Sequence, residues 1–382
     1  MPDLVSIAQQ FQFPGEVGSV IPFGAGIIND TFVVAFKNVP AATVGNFGES
    51  RLGQRAVLQR INPAVFPDPV KVMQNLEKIL VFSEQQRASS SHVDVNAFRL
   101  PPLYRTRDGS SYFQDSNQDI WRALGFIEKT STSDQLQDMQ QAYEAGSALG
   151  AFHRLLANLP VDQLVDTLPG FHITPQYLTQ YDKVVAHASP PSSDRQLWQF
   201  CHDMIETNRA LAGVLVNAQP PLKQRVMHGD PKLNNMLFDQ DTGKAVSIVD
   251  LDTVKPGLIQ FDIADCIRSC CNRSGELPEP GQDVVFDMTA CYRILEGYLS
   301  QAADMLDHSD VNCLANAIQL LPFELGLRFF TDYLQGNRYF KVASPNDNLY
   351  RANTQFMLLN SIQQQHSLLA EVISDLGAKS NP

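Results

Sequence analysis

Four side chains in one short segment suit a single reaction. In Val226-Met-His-Gly-Asp-Pro-Lys-Leu-Asn-Asn-Met-Leu-Phe-Asp239 they are His228, Asp230, Lys232 and Asn235, at the spacing H-x-D-x-K-x-x-N. Fifteen residues past Asn235 comes Asp250, in Ile248-Val-Asp250-Leu-Asp252. Phosphoryl transfer asks little covalent chemistry of a protein. It needs a carboxylate to accept or orient the proton of the acceptor hydroxyl, and hard oxygen ligands for Mg2+ beside the phosphates. Asp230 suits the first role. Asn235, across a tight loop, turns an amide oxygen toward a metal, and Asp250 supplies the anionic ligand. Lys232 neutralises charge growing on the transferred group, unless it is a solvated surface lysine. His228 reads as an imidazole that fixes the loop through hydrogen bonds. A zinc site is disfavoured, because no second His or Cys stands at ligand spacing. Asp252 either joins the metal or braces its loop.

The elements that must hold these groups follow from periodicity and turn residues. Residues 225–227, 235–238 and 245–249 read as short strands, with Asp241-Thr-Gly243 turning between the last two. That hairpin returns Asp250 to the catalytic loop. Around it the pattern is helical, over 136–159, 175–188, 194–216, 283–306, 311–334 and 348–376. The first third is different. Residues 17–23, 31–36, 56–61, 98–104, 111–114 and 120–127 read as strands, with turns at Gly24-Ala-Gly-Ile-Ile-Asn-Asp30 and Asp108-Gly109. Residues 38–54 read as a loop. Asp68 caps a helix with Pro69 at its first position, carrying Val72, Met73, Leu76, Ile79 and Leu80 as a stripe. Thr130-Ser-Thr-Ser-Asp134 is a polar connector. The expectation is an α+β protein of two lobes. Residues 1–128 form a small β-rich domain, residues 129–382 a larger helical one, and a ligand cleft lies between them.

Composition narrows the partners. The 382 residues are 44% hydrophobic and 18% charged, an ordinary globular balance. The 41 acidic residues outnumber the 29 basic ones, for a net charge of −12. Such a chain repels phosphate backbones and anionic lipid, which argues against nucleic acid and membrane surfaces as partners. Met1-Pro-Asp-Leu-Val-Ser lacks the basic and apolar regions of a secretory signal. No run approaches the ~20 apolar residues that span a bilayer. The six cysteines form no C-x-x-C pair and read as buried free thiols. Together these point to the cytoplasm.

The His228-to-Asn235 run with Asp250 resembles the aminoglycoside phosphotransferase and choline kinase superfamily, whose fold is bilobal and protein-kinase-like. Flanking blocks look like those of N-acetylhexosamine 1-kinases. They are Phe23-Gly-Ala-Gly-Ile-Ile-Asn-Asp-Thr31, Val57-Leu-Gln-Arg-Ile-Asn62 with Val65-Phe-Pro-Asp-Pro69, and Trp121-Arg122 with Phe126-Ile-Glu128. Pro169-Gly-Phe-His-Ile-Thr-Pro175, Asp250-Leu-Asp-Thr-Val-Lys-Pro-Gly257, and Arg328-Phe-Phe-Thr-Asp-Tyr-Leu334 with Tyr339-Phe-Lys341 complete the set. The blocks run from about residue 20 to about residue 365.

The resemblance implies roles. Gly24 and Gly26 let backbone amides approach nucleotide phosphates, where the residues alone allow an ordinary hairpin turn. Arg60 stands where kinases carry a strand lysine. Glu77 on the next helix is either its acidic partner or a solvated residue. Phe126, Ile127 and Glu128 form the hinge that meets adenine. Asn29, Asp30, Asp230, Arg328 and Tyr339 surround the sugar. Taken alone, Arg328 is also a plain salt-bridge residue and Tyr339 a packing aromatic. Ile27 replaces the family's usual His. Asp262 in Phe261-Asp-Ile-Ala-Asp265 braces the catalytic loop. The implied activity is ATP- and Mg2+-dependent phosphorylation of the anomeric hydroxyl of a hexose or N-acetylhexosamine. The alternative acceptor is an amino alcohol, a choline-like molecule or an aminoglycoside. A glycosyltransferase using Asp250-x-Asp252 leaves the Asp230–Asn235 loop unexplained, and an inactive kinase relative conflicts with the intact Asp230, Asn235 and Asp250.

Overall fold

A computed structural model of the chain describes residues 3–24, 28–39, 53–89, 98–191, 194–279 and 282–380. The anticipated loop at 38–54 therefore lies mostly outside the described residues. The strands are β1 (Glu16–Pro22), β2 (Asp30–Lys37), β3 (Arg55–Arg60), β4 (Leu103–Tyr104), β5 (Phe113–Gln114), β6 (Ile120–Gly125), β7 (Thr130–Ser131), β8 (Arg225–Met227), β9 (Met236–Asp239), β10 (Ala245–Ile248) and β11 (Lys255–Gly257). The chain divides into two compact units. One comprises Met1–Thr132, Asn158–Leu168 and Leu237–Pro256, the other Ser133–Ala157, Pro169–Met236 and Gly257–Pro382.

In the first unit β1 to β6 form one antiparallel sheet, ordered β1-β2-β3-β6-β4 with β5 also on β6. Strand alternation sorts its side chains. Ala56 and Leu58 of β3, Val34 of β2 and Trp121 and Ala123 of β6 fill one face, packed with Ile7 and Ala8 of α1 (Leu4–Ala8). The register Thr31↔Gln59↔Arg122 puts those three polar residues on the opposite face. α2 (Pro69–Ser89) starts where Asp68 accepts the amide of Lys71, at 3.3 Å, and buries Val72, Met73, Leu76, Ile79 and Leu80. The same helix carries a buried Asn75, which donates to the carbonyls of Val165 and Val254 and accepts the Val165 amide. The run anticipated at 98–104 shrinks to two residues, because Pro101 and Pro102 have no amide to give a ladder. The supposed connector at Thr130 supplies β7, which pairs with β9, and β9 pairs with β10 as the anticipated hairpin.

The second unit is helical: α3 (Met139–Leu155), α4 (Thr174–Val185), α5 (Arg195–Asn208), α6 (Ile259–Cys270), α7 (Met288–Ala302), α8 (His308–Asn312), α9 (Leu314–Leu334), α10 (Asp347–Gln364) and α11 (His366–Ser380). The periodic runs at 311–334 and 348–376 each break once, at Cys313 and at Gln365. α6 has no counterpart in the sequence reading. Almost every residue from Ile259 to Cys270 is buried, so no polar face sets up a periodic stripe. α3 and α7 touch through glycine. A Cβ on Gly146 would lie 1.9 Å from the Ile294 carbonyl oxygen, and one on Gly297 would lie 1.9 Å from that of Tyr143. All six cysteines are free thiols, five of them buried. Among the described residues no helix is long and apolar enough to cross a membrane.

Candidate active site

The catalytic loop leaves β8 through a tight turn. Gly229 has φ +87°, a left-handed conformation that glycine adopts without a steric penalty. Asp262, buried on α6, clamps that turn. Its Oδ2 accepts the His228 amide at 2.5 Å and its Oδ1 the Gly229 amide at 2.8 Å. Behind it, His153 Nε2 lies 2.9 Å from Asp262 Oδ2, and His153 Nδ1 lies 2.9 Å from the Tyr298 hydroxyl. His153 and Tyr298 belong to α3 and α7, the two helices brought close by Gly146 and Gly297. Burial alone would raise the Asp262 pKa. The hydrogen bond and charge of His153, with His228, outweigh it and hold the carboxyl below its usual range.

The clamp presents Asp230, which is half-buried. Lys232 Nζ stands 2.7 Å from its carboxylate. Asn235 Nδ2 donates to the Asp230 carbonyl at 2.8 Å and to its carboxylate at 3.2 Å. Burial pushes the Asp230 pKa up; Lys232 pulls against it, and the charge of Asp265 adds to the rise. Asp265 is itself paired with Arg268, at 2.7 Å. So the second unit brings Asp230, Lys232 and Asn235 together, as anticipated.

In the first unit Asp250 sits in a left-handed conformation, φ +64° and ψ +57°, at the start of a short turn over Leu251–Thr253. A non-glycine residue held there is a strained feature of the kind that collects at functional sites. Asp252, in the turn, is 2% exposed and forms an ion pair with Arg122, itself 1% exposed. The other Asp252 oxygen accepts from Asn29 Nδ2 at 2.5 Å. Arg122 also donates to Gln59, which donates to Thr31. Asp252 is therefore a brace for the turn that carries Asp250.

Three residues named by the resemblance have protein partners in the structure. Arg60 alternates with Leu58 and lies on the packed face of the sheet, where it pairs with Asp30 and, at 2.8 Å, with Asp119. The cation on the Asp252 face is Arg122. Glu77 pairs with Arg105, not with Arg60. Asn29 is buried, and its side chain is occupied by Asp252 and by the Asn62 amide, so it positions the turn from within the fold. Gly24 follows β1 with φ +72°. Gly26 and Ile27 lie outside the described residues. Phe126 packs edge-on to Phe23 and under Arg55, and Glu128 pairs with Arg55. The Ile127 carbonyl accepts the Thr130 hydroxyl at 2.7 Å.

Arg328 of α9 sits among four rings of the second unit. Its guanidinium carbon is 5.1 Å from the Tyr177 ring, 5.4 Å from Phe340, 5.5 Å from Phe171 and 5.6 Å from Tyr339. The loop bearing Tyr339 and Phe340 is ordered by Asp332, whose carboxylate accepts the amides of Arg338, Tyr339 and Phe340 at 2.8–3.0 Å.

Residues 20–295 match the phosphotransferase enzyme family. The chain belongs to that family. Solved structures share the fold. An aminoglycoside phosphotransferase from Alicyclobacillus acidocaldarius is 15% identical, over 95% of this chain and 96% of that one, with TM-score 0.57. A microcompartment-associated aminopropanol kinase is 14% identical over 95% and 99%, with TM-score 0.58. A choline kinase from Cryptosporidium parvum is 15% identical over 99% of each chain, with TM-score 0.57. At these identities the likeness establishes an α+β, protein-kinase-like fold with a β-rich N-terminal sheet and a helical C-terminal part.

As a phosphotransferase, the chain has donors that suit Mg2+. Asn235 gives its N–H groups to Asp230, which leaves its Oδ1 as a hard oxygen for a cation. Among the described residues no three His, Cys, Asp or Glu side chains converge as a metal cage. An ion held by Asn235 or Asp250 would take its remaining ligands from phosphate and water, as Mg2+ usually does. Sequence reasoning missed the bracing roles of Arg122, His153 and Asp332. A strand residue's face depends on register, and the partners of Arg122 and His153 lie far along the chain. The arginine within an otherwise apolar β6 was the one available signal.

Proposed function

We propose that this phosphotransferase is an ATP- and Mg2+-dependent kinase acting on the anomeric hydroxyl of a hexose or N-acetylhexosamine. The observation that carries phosphoryl transfer is the Asp262-clamped loop, with Asp230, Lys232 and Asn235 in mutual contact. In this reading Asp230 orients the acceptor hydroxyl and takes its proton. Lys232 moves from Asp230 toward the transferred group as charge develops. Asn235 and Asp250 would hold Mg2+, which when bound neutralises phosphate charge. Backbone amides at Gly24 and Gly26 approach the phosphates, and Phe126 to Glu128 meets adenine. Residues 1–128 take the nucleotide and residues 129–382 the acceptor. Free buried thiols fit a reducing, cytoplasmic setting.

The sugar rests on the sequence blocks that resemble those of N-acetylhexosamine 1-kinases, Arg328 and Tyr339 included. An anomeric hydroxyl is more acidic than other ring hydroxyls, so a carboxylate is base enough. ADP release tests the reading, with Mg-ATP and a panel of free sugars, amino alcohols, choline and aminoglycosides. Release that depends on a hexose or N-acetylhexosamine supports it. Release that depends only on an amino-bearing acceptor overturns the sugar and keeps the kinase.

A further inference from the structure

Arg328 is surrounded in an unusual way. Four rings stand within 6 Å of its guanidinium carbon, inside the range of cation–π attraction. Among the described residues no hydrogen bond and no ion pair to a protein acceptor engages its five N–H donors. One helical turn earlier, Glu324 is buried, with His172 at 2.8 Å and the Thr174 hydroxyl on its carboxylate. Glu324 stays ionised: burial raises its pKa, but the charges of His172 and Arg328 outweigh that and lower it. Four rings around one point, on a helix that carries a buried anion one turn earlier, make a box for a cation, and here the cation belongs to the chain.

The box is coupled to the catalytic loop within the same unit. His172, next to Phe171, stacks on Phe261 at 4.5 Å and 14°. The next residue, Asp262, holds the amides of His228 and Gly229.

We infer that Arg328 is the resident cation of an aromatic box and that, by filling it, the chain rejects acceptors that carry an ammonium group. This rests on the reading of the chain as a small-molecule phosphotransferase. An ammonium group entering here would meet a guanidinium already seated on the rings. A neutral polyol would instead find five donors that no protein acceptor takes. Removing the guanidinium should leave four rings and an ionised Glu324, which is an ammonium site.

The test uses the full chain and tetramethylammonium, followed by titration calorimetry and by the proton NMR shift of its methyl groups. Arg328→Ala should bind the probe at least about tenfold more tightly than the wild type, with methyl signals moved upfield by the rings. Arg328→Lys, which keeps a cation in place, should behave as the wild type. Arg328→Gln covers the case in which Arg328→Ala fails to fold, and should bind more tightly than the wild type. In the wild type itself the Arg328 side-chain protons should be shifted upfield by the rings. Equal affinity in the wild type and the neutral variants, or an unshifted Arg328, would overturn the inference. Because no readout requires turnover, the result stands apart from the search for a sugar substrate.

Discussion

Asp230 owes its role to what holds it. Gly229 supplies the left-handed turn, Asp262 clamps the turn, and Lys232 and Asn235 contact Asp230 itself. Under the proposed function Asp230→Asn keeps the shape and loses the base. Turnover should fall by about 10²–10⁴-fold with an unchanged melting curve. A kcat above about a tenth of wild type would remove Asp230 from that role. The motif spacing made these residues legible. Arg122 was not, because only the β3–β6 register reveals which face it occupies. Arg122→Met would leave Asp252 buried without its cation, at a cost of about 3–5 kcal/mol. Urea unfolding measures this. A loss under about 1 kcal/mol would mean that the pair does not brace the Asp250 turn.

At the scale of elements, helix packing delivers the clamp. α6 brings Asp262, and α3 and α7 bring His153 and Tyr298 behind it. The glycine contact between α3 and α7 sets how close those two helices lie. Gly297→Ala puts a methyl group into the Tyr143 carbonyl, and neither backbone can yield without parting the helices. Overpacking of this kind costs about 1–3 kcal/mol or more. Thermal melting should show a clear drop, whereas Gly213→Ala, whose added Cβ meets only the movable end of the Asn217 side chain, should lose far less. Equal losses would show that the close approach is unimportant. Amphipathic helices such as α2 were readable from their stripes. α6, which matters most to the site, was not, because burial on all sides erases the periodicity that sequence reading depends on.

At the scale of the whole molecule, the division into a β-rich start and a helical remainder was legible, since the period of hydrophobicity changes near residue 130. Titration should report the buried carboxylates together. Asp262, Asp310 and Glu324 all have folded pKa values below their usual ones. Their stabilisation is complete above the unfolded carboxylate range, about pH 4, and is lost as pH falls through it toward the depressed folded values. Asp262→Asn should flatten the acid limb of the stability curve, and an unchanged limb would contradict the assignment. Asp230 has the opposite sign. Its raised pKa means that activity should fail on acidification while the fold still holds. Under the proposed function the chain places a phosphoryl group on an anomeric oxygen, and the product reports this directly. After incubation with Mg-ATP and the sugar that supports ADP release, the phosphorus-31 signal of the product should couple to the anomeric proton, and reducing power should disappear. Coupling to the C6 protons, a product that still reduces, or no phosphorylated sugar from any member of the panel would contradict it.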